Sequence, residues 1–157
     1  AIIAFGLWDI LYYVFLIPMT GWPRSLLDWD ILFLIPLPWW GPVLAPMLIS
    51  TLMIILGTQL VFHDHLAPRK IAWSLAFIGV WIALYTFMVD SIQVIGGGVE
   101  AVRTVLPTSF NWLLFFVALI LMSAPSLDMV RQLIQNQNLD VTASPRGDRS
   151  NPQSTFF

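Results

Sequence analysis

Three long stretches of this chain carry no charged side chain: residues 31–62, 71–89 and 104–127. A fourth, residues 1–17, is apolar except for Asp9. About 20 apolar residues at 1.5 Å rise cross the ~30 Å hydrocarbon core of a bilayer, so each stretch is long enough, or nearly so, to span one. Prolines adjust the boundaries. Pro36, Pro38, Pro42 and Pro46 bar a regular helix from running through 31–62, whereas proline in a first turn is tolerated because its missing N–H has no helical partner there. The second span therefore starts near Val43 and ends near Phe62. Pro18 and Gly21 are expected to end the first. The pattern predicts an all-α integral membrane protein with about four transmembrane helices, at about 1–17, 43–62, 71–89 and 110–127. The chain opens Ala1-Ile2-Ile3 without methionine or a basic segment. The first span is thus expected to be whole or the second half of a longer one, after removal of a leader or behind an upstream portion.

The segments between the spans differ in character. Residues 18–41 are rich in Trp and Pro, and 25–35 are expected to form a short helix at the interface, with Asp28 or Asp30 as its N-cap. Residues 63–70 make a short polar turn. Residues 90–109 form a second long connection in which Gly96-Gly97-Gly98 reads as a joint, not a phosphate loop. Beyond it, Val99, Val102 and Leu106 share one face of a short amphipathic helix, with Glu100 and Arg103 off that face. Two regions follow: a transmembrane domain over 1–127 and a polar tail over 128–157. The tail is weakly amphipathic over 127–139, and its remainder is too polar to bury a core of its own.

Composition excludes several classes. Hydrophobic residues make up 58% and charged residues 10%, against roughly 25% charged in soluble domains. The net charge of −2 gives no footprint for nucleic acid. With no cysteine, disulfides, thiolate zinc sites, iron–sulfur clusters and c-type haem attachment are all ruled out. The basic residues orient the spans. Arg69, Lys70, Arg131, Arg146 and Arg149 alternate with Arg24 and Arg103. The larger group belongs in the cytoplasm, which predicts a multi-pass protein of the inner membrane with a cytoplasmic C-terminus.

Candidate chemistry lies in a few polar and aromatic residues. Asp9 sits inside an apolar run, where an ionised aspartate costs ~3 kcal/mol on insertion scales. Tyr12 and Tyr13 follow at i+3 and i+4, on the same helical face, and a phenol can donate to the carboxylate. Asp9 is expected to face protein and to bond with Tyr12, Tyr13 or a neighbouring helix. It reads either as a structural clamp or as a proton or substrate site. The pattern Trp-Asp-Ile-Leu-aromatic occurs twice, at 8–12 and 29–33. Five positions are too few to establish a repeat, and helix capping is its plainer use. Asp28 and Asp30 also form a carboxylate pair, without a third acid or histidine nearby in sequence. His63 and His65 are weak metal candidates: on a helix, residues two apart point away from each other, and no cysteine or further histidine completes a set. Arg146-Gly147-Asp148 spells an adhesion tripeptide but falls in a tail expected to be cytoplasmic.

Of eight tryptophans, Trp22, Trp29, Trp39 and Trp40 share the first connection. They read as an aromatic belt at headgroup depth or as a face for a lipid, quinone, pigment or neighbouring subunit. Signatures such as His-Glu-x-x-His and Gly-x-Ser-x-Gly are absent from the sequence. Two functions follow as expectations. One is a non-catalytic accessory or scaffold subunit of a larger inner-membrane complex, such as one for respiratory or photosynthetic electron transfer, docked through its Trp–Pro connection. The other is a small transporter or membrane enzyme that uses Asp9. In either case the bilayer is the first partner, and other membrane subunits are the second.

Overall fold

The computed structural model describes residues 1–35, 37–97 and 109–143. Helix α1 (Ile2–Thr20) leads into a hairpin of β1 (Trp29–Phe33) and β2 (Trp39–Pro42). Then come α2 (Leu44–Phe62), α3 (Lys70–Gln93), a 3₁₀ turn (Ile95–Gly97), α4 (Trp112–Met122) and α5 (Ala124–Ala143). Helices α1, α2 and α3 are long and apolar enough to cross a membrane, and α4 with the start of α5 makes a fourth if counted as one bent span.

Helix α1 runs through Pro18 and stops at Gly21 instead. The proline ring forfeits a hydrogen bond within the last turn only. Thr20 Oγ1 closes that turn on the Leu16 carbonyl at 2.8 Å. Gly21 adopts the left-handed conformation at φ 73°, and its N–H donates to Ile17. A residue with a side chain would be strained there.

The expected short helix over 25–35 is absent, and the fold is not purely helical. Trp29, Ile31 and Phe33 alternate along an antiparallel strand that pairs Trp29 with Pro42, Asp30 with Gly41 and Ile31 with Trp40. An irregularity follows before Phe33 meets Trp39. Alternating aromatic and β-branched residues suit a strand, and Pro38 between the strands and Pro42 at the end of β2 suit a turn and an edge. Asp28 caps no helix here. Its Oδ2 accepts the N–H groups of Arg24 and Ser25 at 2.8 and 3.2 Å, closing a turn. The Leu26 and Asp28 carbonyls accept from Leu44 and Val43, which gives partners to donors at the start of α2.

The fourth span is broken. Helices α4 and α5 meet at Ser123 with a bend of 43°. Pro125, in the first turn of α5, cannot donate to the Leu121 carbonyl, and its ring crowds that carbonyl. The Ser123 hydroxyl donates to Ile120 at 2.7 Å. The boundary at 127/128 thus falls inside α5, whose first turns bury Met129, Ser126 and Asp128. The first residues of the 90–109 connection continue α3. Gly98, the 99–106 segment with Glu100 and Arg103, and the 146–148 tripeptide lie outside the described residues.

Small residues let the helices approach. Gly6 lies under the Ser50 carbonyl and Gly57 under Ile3, so α1 and α2 pack antiparallel; Gly79 lies against the Ala118 carbonyl and Met122 nitrogen, joining α3 to α4. Ala45, Ala83, Phe87, Phe115 and Ala118 form the core. The hairpin is fastened to it by Gly41 beneath the Phe87 ring and by Ser91 Oγ donating to the Pro38 carbonyl at 2.7 Å. At the opposite end, Asp128 accepts from the Arg69 backbone N–H at 2.8 Å and pairs with its Nε at 3.1 Å. Gln132 Nε2 donates to Ala67, and Ser126 Oγ to Gln59 Oε1. The turn after α2, the start of α1 and the start of α5 therefore share one end, and the hairpin occupies the other.

Candidate ligand-binding cavity

A cavity of about 400 Å³ opens between α1, the hairpin, α2 and α3, with Met122 of α4 at its edge. Its walls are aromatic and aliphatic, and its polar groups come from three elements. Asp9, Tyr12 and Tyr13 come from α1, Asp30 from β1, and Ser50 from α2. No Lys, Arg or His is among its described lining residues.

Each carboxylate is held by a hydroxyl from another element. Ser50, almost fully buried, donates to Asp9 Oδ2 at 2.8 Å. Tyr13, buried as well, donates to Asp30 Oδ2 at 2.8 Å. Asp30 Oδ1 accepts the N–H of Ile31 at 2.8 Å. Asp9 thus faces protein and bonds to a neighbouring helix, while the phenol four residues on serves a different acid. Tyr13 also meets Tyr12 edge-on, with ring centroids 5.1 Å apart, and packs against Trp22 at 6.3 Å.

The two Trp-Asp-Ile-Leu-aromatic segments converge here. One is helical and one extended, yet both aspartates line the same cavity. Asp28, by contrast, accepts from Arg24 and Ser25 in its own turn and is not among the described residues that line the cavity. Ser50 carried no sequence signal, being one of three hydroxyl residues in an apolar helix, with Thr51 and Thr58. The signal for Asp30 was its shared pentapeptide with Asp9.

The remaining candidates are placed as follows. Trp39 lines the cavity and packs edge-on against Phe33 at 4.9 Å. Trp29 packs against Phe110 at 6.2 Å. Trp39 and Trp40 both bury indole Nε1 atoms that have no hydrogen-bond partner among the described residues. His63 follows the last turn of α2, with its Nδ1 buried and unpartnered. Its ring lies 6.2 Å from that of His65, which approaches Asp64 at 3.7 Å. Among the described residues, no group of three or more His, Cys, Asp or Glu is placed to hold a metal ion.

Fold and cavity together define a class: a mostly helical bundle, three or four of its helices apolar enough to cross a membrane, with an acid-bearing cavity between them. No protein-family model, curated protein or solved structure matches the chain.

Proposed function

We propose that this is an integral membrane protein of the inner membrane, with a cytoplasmic C-terminus, that binds a small ligand in the Asp9–Asp30 cavity as a transporter or membrane enzyme. The observation that carries the proposal is the convergence of two carboxylates and three hydroxyls on a mostly apolar cavity. Polar groups in such surroundings are costly and mark function by default. The membrane part rests on burial. Only 11% of the α1 apolar window and 28% of that in α3 are buried within the protein. Most of this apolar surface therefore has no protein cover, as lipid-facing helices require.

Binding is tested by thermal stabilisation of the purified protein in lipid nanodiscs, across a panel of small membrane-soluble compounds. A ligand at 100 times its Kd adds about 2.7 kcal/mol. Leu84→Trp, which fills the cavity from α3, should remove the effect. If no compound stabilises the wild type more than Leu84→Trp, the cavity is not a binding site.

A second reading, the accessory subunit of an electron-transfer assembly, is favoured by one observation. Helix α1 leaves Trp8 73% and Met19 80% exposed, a flank that another subunit can cover as well as lipid. Recovery of stoichiometric partner subunits after mild solubilisation supports that reading, and a stable lone protein opposes it.

A further inference from the structure

Resting on the cavity reading above, we infer that the ligand is a lipophilic organic cation, an ammonium carrying an aromatic or alkyl group. Charge is the first argument. Two carboxyl groups and no basic side chain are among the described lining residues, so any charge that Asp9 and Asp30 give the cavity is negative. That charge disfavours an anion, and a neutral ligand brings no counter-charge to it.

Hydrogen bonding is the second argument. The Ser50 and Tyr13 hydroxyls already donate, each to a carboxylate. The carboxylates keep acceptor capacity, since a carboxylate has about four lone-pair sites and Asp9 receives one hydrogen bond among the described residues, while the Tyr12 hydroxyl and the Trp39 indole N–H are the donors left in the lining. A ligand that donates or carries positive charge matches this.

The walls give the third argument. Phe5, Tyr12, Phe33, Trp39 and Phe87 surround the acids, and aromatic faces attract cations. A bare metal ion fits poorly. Calcium takes about six to eight oxygen ligands at close range, whereas this cavity holds about 400 Å³ walled mostly by carbon. That space suits an organic body with a charged head.

The experiment compares benzyltrimethylammonium with neopentylbenzene, its uncharged carbon isostere, at matched concentration in the lipid of the nanodiscs. The readout is protection of Leu84→Cys, the single cysteine in an otherwise cysteine-free chain, from a small neutral thiol reagent. The cation is expected to slow labelling, with at least ten-fold weaker binding in Asp9→Asn and in Asp30→Asn. Asp64→Asn, on the exposed turn after α2, is expected to bind normally. Helix content and melting temperature verify that each variant is folded, and the charged-versus-neutral comparison needs no further variant. Equal protection by the isostere overturns the cation assignment while leaving the cavity as a binding site. Protection by neither compound overturns the cation assignment, and the panel on wild type and Leu84→Trp then decides the cavity reading separately.

Discussion

Gly79 offers the sharpest test of how the bundle is packed. A Cβ added there would lie 2.6 Å from the Ala118 carbonyl oxygen, 2.8 Å from the Met122 nitrogen and 2.9 Å from Met122 Cγ. The first two are backbone atoms of α4 and cannot rotate aside. Gly79→Ala therefore pushes α3 and α4 apart, and a gap of ~0.5–1 Å forfeits a quarter to a half of each dispersion contact along the seam. Overpacking of this kind costs ~1–3 kcal/mol. Alanine returns up to about 1 kcal/mol through helix propensity. The expected net loss is about 2 kcal/mol, towards the upper end because no flexible side chain can absorb the strain. Reversible unfolding in mixed micelles, titrated with SDS and followed by circular dichroism, measures it. Gly96→Ala is the control, since no described residue lies within 4 Å of its added Cβ. A Gly79→Ala protein that unfolds at or above the wild-type midpoint would refute the close α3–α4 contact.

Tyr13→Phe removes the side-chain donor to Asp30 and should cost ~1.5–3 kcal/mol; a double-mutant cycle with Asp30→Asn should show coupling, and additive effects would deny the bond. Asp9→Asn keeps an acceptor for the buried Ser50 hydroxyl and should be milder than Asp9→Leu by ~1–3 kcal/mol; equal midpoints in the same SDS titration would mean that the Ser50 contact contributes nothing. For topology, cysteines replacing Asp64 and Gln135 should escape an impermeant thiol reagent in intact cells, whereas one replacing Leu27 should react. Labelling of Asp64→Cys or Gln135→Cys would invert the proposed orientation.

The parts of the fold legible in the sequence are those where apolar length alone decides. The span expected from Val43 to Phe62 appears as Leu44–Phe62, and that expected over 71–89 as Lys70–Gln93. Asp90 does not end α3, because a polar residue at the mouth of an apolar helix breaks no backbone bond. The hairpin was not legible. Trp29, Ile31 and Phe33 fit a short interfacial helix as well as a strand until they meet Trp39–Pro42, and that pairing is non-local. The prolines misled in both directions for one reason. A local breaker is tolerated in a terminal turn, as at Pro18, and has its full effect where a helix would otherwise continue, as before Pro125. The placement of Asp9 against protein was readable from the cost of its position. That of Asp30 depended on the hairpin folding back over Tyr13, which no single segment encodes.

The hairpin and α1 hold the two acids on separate mounts. Asp30 rides on a strand fastened to the start of α2 and, through Gly41 and Ser91, to α3. Asp9 rides on a helix packed chiefly along α2. Any sliding or tilting of α1 carries Asp9, Tyr12 and Tyr13 together past a stationary Asp30, and Tyr13 must then release that carboxylate. The separation of the two carboxylates thus works as a gauge of where α1 stands. Anything that bridges them, a bound cation included, locks the helix to the hairpin.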